Sequence, residues 1–164
     1  MELAPIPPNE KERLDAVLEL KILNTKPEER FDRITKTAVK KLRVPIAAIS
    51  ILDSDREWYK SHQGLRFKEW PRSTSFCGHI ISHNYIFVIE DTLLDKRFAD
   101  NPQVIGKPFI RFYAGMALSN KKNGLTVGTL CVKDTKPRKF TEQDILALKD
   151  LAIIAEDELN KPQK

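Results

Sequence analysis

A chain of 164 residues has room for one domain, and at this size about two thirds of the unfolded surface can be buried without help from disulfides. The content of 41% hydrophobic and 31% charged residues is typical of a folded domain and excludes extended disorder. The net charge of +5 comes from scattered basic residues that acids mostly match, so we expect no nucleic-acid partner. The nearest approach to a basic patch, which we interpret as solvated surface, is Lys133, Lys136, Arg138 and Lys139.

The start of the chain carries no targeting signal that we recognise. No apolar run approaches the roughly 20 residues that cross a bilayer, and Met1–Pro8 lacks the pattern of a signal peptide. We therefore expect a cytoplasmic protein with no membrane partner, in which Cys77 and Cys131 are reduced. The proline-rich residues 1–8 predict a loose arm, residues 9–160 a single domain and residues 161–164 a short tail.

Helical periodicity appears at both ends of the domain. Apolar residues recur at helical spacing from Asn9 to Leu23, again from Phe31 to Leu42, and a third time after Thr141, which can cap the closing helix. The closing helix has a second apolar stripe that contains Leu146 and Ile153. We expect this stripe either to mediate a homodimer through the terminal helices or to be covered by the opening helices of the same subunit.

Strand patterns occupy the middle of the chain. Residues 44–52 are apolar at both alternating positions, which predicts a central strand covered on both faces. Further strands are predicted at 57–63, 86–89, 112–118 and 126–132, and Asn123-Gly124 joins the last two as a hairpin. Short strands joined by tight turns indicate a mainly antiparallel sheet in an α+β fold.

Several short motifs follow one another in a characteristic order. They include Phe76-Cys-Gly-His79, Asp95–Pro102, Phe112-Tyr-Ala-Gly115 and Gly128-Thr-Leu-Cys131. With these motifs, the chain from about Asn9 to Leu159 resembles a GAF domain, the small-molecule sensing module of many bacterial signalling proteins. The resemblance implies a GAF/PAS-like fold: a central antiparallel sheet of five to six strands, terminal helices on one face and a ligand pocket on the other. It also implies a signalling partner protein and an output domain, so the chain is either a free-standing sensor or a fragment of a longer protein.

The resemblance places a set of candidate ligand-binding residues around that pocket. They are Trp58, Phe76, Cys77, His79, Asp91, Phe98, Asn101, Val104, Phe112 and Tyr113. The aromatic members would supply apolar walls, although Phe112 and Tyr113 are neighbours on a strand, so only one can face the pocket. Structural roles stay open for two others, because Cys77 can be a small core residue and Asp91 can cap the following turn.

Catalysis, metal binding and a bound cofactor are not indicated by the sequence. Cys77 and His79 are two residues apart and would not face each other on a helix, and the closely paired ligands of a zinc site are missing. We therefore expect a ligand-binding module that is not an enzyme. The alternative is a redox enzyme of the free methionine sulfoxide reductase type that uses Cys77 and Cys131. The Asn-Lys-Phe-Asp-Glu motif of cyclic-nucleotide-binding relatives is absent, and Cys77 is followed by glycine rather than by the histidine of bilin-binding relatives, so the ligand stays unidentified.

Overall fold

A single antiparallel sheet organises the molecule. The computed structural model describes residues 1–83 and 85–163 of the chain. Its strands are β1 (Ile46–Leu52), β2 (Arg56–Gln63), β3 (Glu69–Pro71), β4 (Ile86–Ile89), β5 (Phe112–Asn120) and β6 (Leu125–Asp134). The described strands form a six-stranded sheet in the order β3-β2-β1-β6-β5-β4, and every neighbouring pair is antiparallel. The predicted antiparallel sheet and α+β class are confirmed.

Three long helices cover one face of this sheet. They are α1 (Glu10–Glu19), α2 (Glu29–Leu42) and α4 (Glu142–Asn160), whereas α3 (Pro102–Ile105) is a single turn elsewhere. Helix α4 begins with a capping box, in which Asp144 N–H donates to Thr141 Oγ1 (3.1 Å) and Thr141 N–H donates to Asp144 Oδ2 (2.9 Å). No helix in residues 1–83 and 85–163 is long and apolar enough to span a bilayer.

The sheet separates two apolar cores, and β1 contributes to both. Every residue of β1 is buried, as its sequence predicts. Ala47, Ile49 and Ile51 face the core formed with α1, α2 and α4, which we call the helix-side core. Ile46, Ala48 and Leu52 face the opposite core, which we call the distal core. The alternation of side chains along β1 therefore assigns each of its apolar residues to one of the two cores.

The distal core is covered by the connections between strands instead of by long helices. A 3₁₀ helix, Cys77–Ser82, lies against β1, β5 and β6, and the connection from β4 to β5 carries a second 3₁₀ turn, Thr92–Leu94, before α3. These connections bring Phe76, Phe98 and Val104 onto the sheet.

Residues 1–8, which we name the N-terminal strap, lie on these connections. The expectation of a loose arm is wrong: Glu2 N–H donates to Arg97 O (2.9 Å), Ala4 N–H donates to Ser73 O (2.8 Å), and Ala4 is buried. Short backbone bonds and a buried methyl group fix the strap, which the proline content alone does not indicate. The predicted tail ends at residue 164, which lies outside the described residues.

Candidate functional site

Most of the predicted ligand-binding residues meet in the distal core. Phe76 stacks on Phe98 with ring centroids 4.7 Å apart and on Tyr113 at 5.2 Å, and the His79 ring meets Phe98 edge-on at 4.7 Å. Cys77 and Val104 belong to the same cluster. The structure therefore brings together six residues that the sequence places in four separate segments.

Two predicted residues lie on the other side of the sheet. Trp58 and Phe112 belong to the helix-side core, which places the sheet itself between them and the distal core. Because successive side chains of a strand point to opposite faces, Tyr113 faces the distal core and Phe112 does not. The sequence predicts that Phe112 and Tyr113 face opposite sides of the sheet, but only the strand pairing shows which of the two faces the distal core. The prediction that Trp58 and Phe112 contact a ligand in the distal core is therefore corrected: both side chains pack in the helix-side core.

Asp91 and Asn101 both act as caps. Asp91 accepts a hydrogen bond from Leu93 N–H (3.1 Å) and another from Arg111 Nη2 (3.0 Å). Asn101 is fully buried, accepts from Gln103 N–H (2.9 Å) at the start of α3 and donates from Nδ2 to Thr74 O (3.0 Å). These hydrogen bonds give the polar side-chain atoms of both residues partners within the protein itself. Asn101 also joins two of the connections that cover the distal core.

Cys77 is the centre of a buried hydrogen-bond network. Its Sγ accepts from the hydroxyl of Tyr113 (3.2 Å) and from Thr129 Oγ1 (3.0 Å), and the Thr129 hydroxyl is hydrogen-bonded to that of Ser50 (2.8 Å). Burial raises the pKa of Cys77 well above its ordinary value, and the adjacent Cys131 thiol raises it further. A neutral thiol is a weak nucleophile, so this environment favours a packing and hydrogen-bonding role for Cys77.

Lys133 is the buried cation of the distal core. It has no exposed surface, its Nζ donates to Gln103 Oε1 (3.3 Å), and it lies 5.6 Å from the centre of the Phe76 ring. Burial is the largest single influence on the pKa of Lys133 and lowers it, but the attractions of Glu57, Cys131 and Cys77 together raise the pKa above its ordinary value, which favours the protonated ammonium. The interpretation of Lys133 as part of a solvated basic surface is wrong.

A carboxylate lies in the same buried region. Glu57 is fully buried, its Oε1 accepts a hydrogen bond from the hydroxyl of Tyr59, and its Oε2 has no hydrogen-bond partner among the described residues. Gln103 Nε2 and His79 Nε2 are also buried without a partner in this part of the chain. Burial is the largest influence on the pKa of His79 and lowers it, which favours the neutral imidazole.

The sequence reasoning missed Lys133, Gln103 and Glu57. Strand alternation offers a signal for one of them, because Thr129, Cys131 and Lys133 occupy alternate positions of β6 and must share a face. Glu57 and Gln103 have no comparable local signal. Among the residues that the structure describes, no three His, Cys, Asp or Glu side chains form a group that could hold a metal ion.

The arrangement of the sheet, the terminal helices and the distal core matches a known family. A family model described as GAF domain matches residues 26–159. This chain belongs to the GAF domain family. The resemblance seen in the short motifs of the sequence is thereby confirmed, together with the GAF-like fold.

Proteins similar to this GAF domain include several that are named as enzymes. Over 153 residues, or 93% of the chain, it is 40% identical to a cyclic di-GMP phosphodiesterase of Pseudomonas aeruginosa, and it spans about a quarter (26%) of that protein's length. The free methionine-R-sulfoxide reductase of Neisseria meningitidis, solved in complex with its substrate, superimposes with a TM-score of 0.64 at 16% identity, covering 98% of both chains. The type II reductase of Thermoplasma acidophilum superimposes with a TM-score of 0.66 at 11% identity, covering 90% of this chain and 97% of that one. At these identities the two reductases show the shared fold.

The expectation that the chain is not an enzyme needs correction. A relative with 40% identity bears the name of an enzyme, and two reductases share the fold over nearly their whole length. The expectation relied on the absence of a nucleophile and base at suitable sequence spacing. Sequence spacing within one segment is a weak guide, because a fold brings distant residues together, as it does with Cys77 and Cys131 here.

Proposed function

We propose that this GAF domain is a sensory module that binds a small molecule in the distal core. The observation that carries the proposal is Lys133, a protonated and fully buried lysine on the sheet face opposite the long helices. A buried charge is costly unless it is well paired, and the hydrogen bond of Lys133 to the neutral Gln103 is long at 3.3 Å. A ligand that accepts hydrogen bonds from Lys133 would offset that cost.

Unpaired polar atoms elsewhere in the buried part of the molecule support a binding function. Glu57 Oε2, Gln103 Nε2 and His79 Nε2 are buried and have no partner among the described residues. Folded domains leave few such atoms, and one of them belongs to Gln103, the hydrogen-bond partner of Lys133, which favours a site that a ligand completes. The aromatic rings of Phe76, Phe98 and Tyr113 add apolar walls.

The proposed role in signalling is supported by the similarity to the cyclic di-GMP phosphodiesterase. A chain 40% identical to part of a cyclic di-GMP phosphodiesterase fits a regulatory domain whose ligand controls a partner domain or protein. Two buried free thiols, Cys77 and Cys131, fit a reducing compartment, so we place the domain in the bacterial cytoplasm.

We also propose a homodimer through the closing helix. Leu146, Ile153 and Ile154 of α4 each expose about half of their surface, so the opening helices leave this stripe uncovered. Beside it lies an apolar groove formed with the edge strand β4 and β5, whose lining includes Ile86 and Met116. A two-fold contact between two copies of α4 would bury the stripe and link ligand binding in the two copies.

The test begins with protein purified under native conditions. Native mass spectrometry should detect a small molecule bound at one copy per chain, and the variant Lys133→Met should lose it. Lys136→Met removes a neighbouring exposed lysine as a matched control and should retain it. Protein that carries no small molecule, and that no compound of a metabolite set stabilises against heat, would contradict the binding function.

A second candidate function is reduction of free methionine sulfoxide. It is favoured by the adjacent buried thiols of Cys77 and Cys131 on a fold shared with two such reductases. In this reaction the sulfoxide oxygen would leave as water while two thiols lose their hydrogens and form a disulfide, which an added dithiol then reduces. Reduced protein should then convert free methionine-R-sulfoxide to methionine, and Cys77→Ser should not. No turnover beside an active control reductase would exclude this candidate.

A further inference from the structure

The exposed side of α4 carries a regular pattern of charge. Positions spaced alternately four and three residues apart share one face of this helix, namely Glu142, Leu146, Lys149, Ile153 and Glu156, and we call this set the α4 seam. Glu156 is half-buried and the other four residues are exposed. The charged members alternate in sign along the helix, from negative to positive to negative, and one apolar residue lies between each charged residue and the next.

The charges of the α4 seam are not neutralised within one subunit. Among the described residues, the salt bridges of α4 are made by Asp157 and Glu158, and neither Lys149 nor Glu156 takes part in one. Glu156 Oε2 accepts a hydrogen bond from Ser119 N–H (3.0 Å), which holds the carboxylate in place at the surface. The seam therefore presents a negative and a positive group that are separated by about two helical turns.

An apolar groove of about 430 Å³ lies beside the seam, and these two charges are part of its lining. Its apolar lining includes Tyr85, which is 79% exposed, and Ile153, and its charged lining residues are Lys149 and Glu156. An occupant that fits this groove is apolar in the middle and carries a negative group for Lys149 and a positive group for Glu156. The seam of a second copy has this composition, because its own Ile153 lies between its own Lys149 and Glu156.

The signs of the charges also determine the orientation of the second copy. In a parallel pair of helices each residue would face its own counterpart, so Lys149 would meet Lys149 and Glu156 would meet Glu156. In an antiparallel pair with the two-fold axis at Ile153, Lys149 lies about 6 Å from the axis and Glu156 about 4.5 Å from it on the other side. The symmetry then places Lys149 of each copy beside Glu156 of the other, about 1.5 Å apart along the helix direction.

We propose that two copies of this domain pair through antiparallel α4 helices, centred on Ile153 and held in register by two reciprocal contacts between Lys149 and Glu156. The inference rests on the proposed homodimer and specifies its orientation. Ile153 of each copy covers the apolar groove of the other. Since Ile86 of β4 lines this groove and Phe87 of the same strand packs in the distal core, the interface lies next to the proposed ligand site.

Sedimentation equilibrium of the full chain tests the register by an exchange of charges. Lys149→Glu and Glu156→Lys should each raise the Kd of the dimer about tenfold, because each change creates two like-charge contacts across the interface. An equimolar mixture of the two variants, and the variant with both changes, should recover the wild-type Kd, since opposite charges then meet again. The controls Lys36→Glu on α2 and Glu12→Lys on α1 reverse exposed charges and should leave the Kd unchanged.

Parallel helices predict a different result. Each single variant would then replace one like-charge contact by another and keep the Kd of the wild type, and the mixture would bind more tightly than the wild type. If Glu156→Lys does not fold because it loses the hydrogen bond from Ser119, Lys149→Glu alone still distinguishes the two orientations.

A spin label at position 142 measures the orientation independently of the charge changes. In the variant Glu142→Cys, Cys77 and Cys131 are fully buried, so the label reacts with the added thiol. Antiparallel helices centred on Ile153 should place the two labels about 33 Å apart along the helix direction. Parallel helices would place them side by side, at about the 10 Å that separates packed helices.

The outcomes separate this inference from the homodimer on which it rests. If the wild type is a monomer at every concentration, the homodimer and the inference both fail. If the wild type is a dimer with labels side by side, or if neither Lys149→Glu nor Glu156→Lys weakens it, the antiparallel register is wrong and the homodimer stands. Weaker single variants, a restored mixture and a long label distance together support the register.

Discussion

Ala4 of the N-terminal strap packs directly on Gly78 of the Cys77–Ser82 helix. A Cβ on Gly78 would lie 2.7 Å from the Cβ of Ala4 and 2.7 Å from Ser75 Oγ, which Gly78 N–H uses as its hydrogen-bond acceptor (2.9 Å). The missing side chain therefore lets the strap approach the helix that carries Cys77. Through this contact the start of the chain and the cover of the distal core hold each other in place.

Gly78→Ala should consequently destabilise the protein by about 1–3 kcal/mol, since the added methyl group overfills a packed site. Urea unfolding measures the loss. The additional change Ala4→Gly should recover part of it, because the two positions are coupled. Gly124→Ala is the control: nothing lies within 4 Å of its Cβ, and its cost arises from a φ of +73°, so Ala4→Gly should not offset it. A Gly78→Ala variant as stable as the wild type would contradict the packed strap.

The thiols should be inert in the native protein. Cys77 and Cys131 are fully buried, and burial raises the pKa of Cys77, so little thiolate forms at pH 8. Ellman's reagent should find no rapidly reacting thiol in native protein and both thiols in guanidinium chloride. The exposed position in Ser54→Cys should add one fast thiol and confirm the assay. Rapid native labelling of Cys77 would show that the distal core opens readily.

A cluster of ion pairs links helix α1 to the connections that cover the distal core, and it should make the free energy of unfolding depend on pH. Partial burial alone would raise the pKa of Glu10, but hydrogen bonds from Arg13 and Arg72 outweigh it and lower the pKa from 4.5 to about 2. The stability that Glu10 contributes is thus present above pH 4.5 and is lost as the pH falls towards 2.

Glu10→Gln should therefore cost about 1–3 kcal/mol at pH 7, because the change leaves two buried arginines short of a partner. The difference from wild type should shrink below pH 4.5 and vanish near pH 2. Unfolding at a series of pH values measures it, with Glu12→Gln, on the exposed side of α1, as the control. A deficit that stays constant from pH 7 to pH 2 would contradict the depressed pKa.

Local patterns determined the parts of the fold that the sequence predicts well. The predicted strand at 86–89 matches β4, the hairpin at Asn123-Gly124 joins β5 to β6, and Thr141 caps α4. Each of these depends on neighbouring residues, namely alternation, a glycine with positive φ or a capping oxygen. Strand β3 escaped prediction because it has three residues and is defined by its pairing with β2.

Contacts between residues that are distant in the sequence determine the burial of several side chains that local patterns predict wrongly. Leu18 is 64% exposed, although it fits the helical stripe of α1, whereas Arg13 is buried. The reason is tertiary: Arg13 pairs with Glu10 and its Nη1 donates to Thr126 O (3.4 Å). In the candidate site, the buried Lys133 and Glu57 likewise depend on strand pairing, and single-residue polarity predicts the opposite environment for both.

The exposed stripe of α4 leads to a prediction about assembly. Leu146 and Ile153 are seven residues apart, share one face of α4 and are 58% and 52% exposed. Sedimentation at micromolar concentration should show a dimer, and the double variant Leu146→Glu, Ile153→Glu should be a monomer, because a two-fold contact would bring four carboxylates together. Its Tm at low concentration should match that of wild type, since both positions are exposed in one subunit. The variant Lys36→Glu changes an exposed charge on α2 and should leave the dimer intact. If the wild type is a monomer at every concentration, or if the double variant still forms a dimer, this stripe of α4 is not a dimer interface.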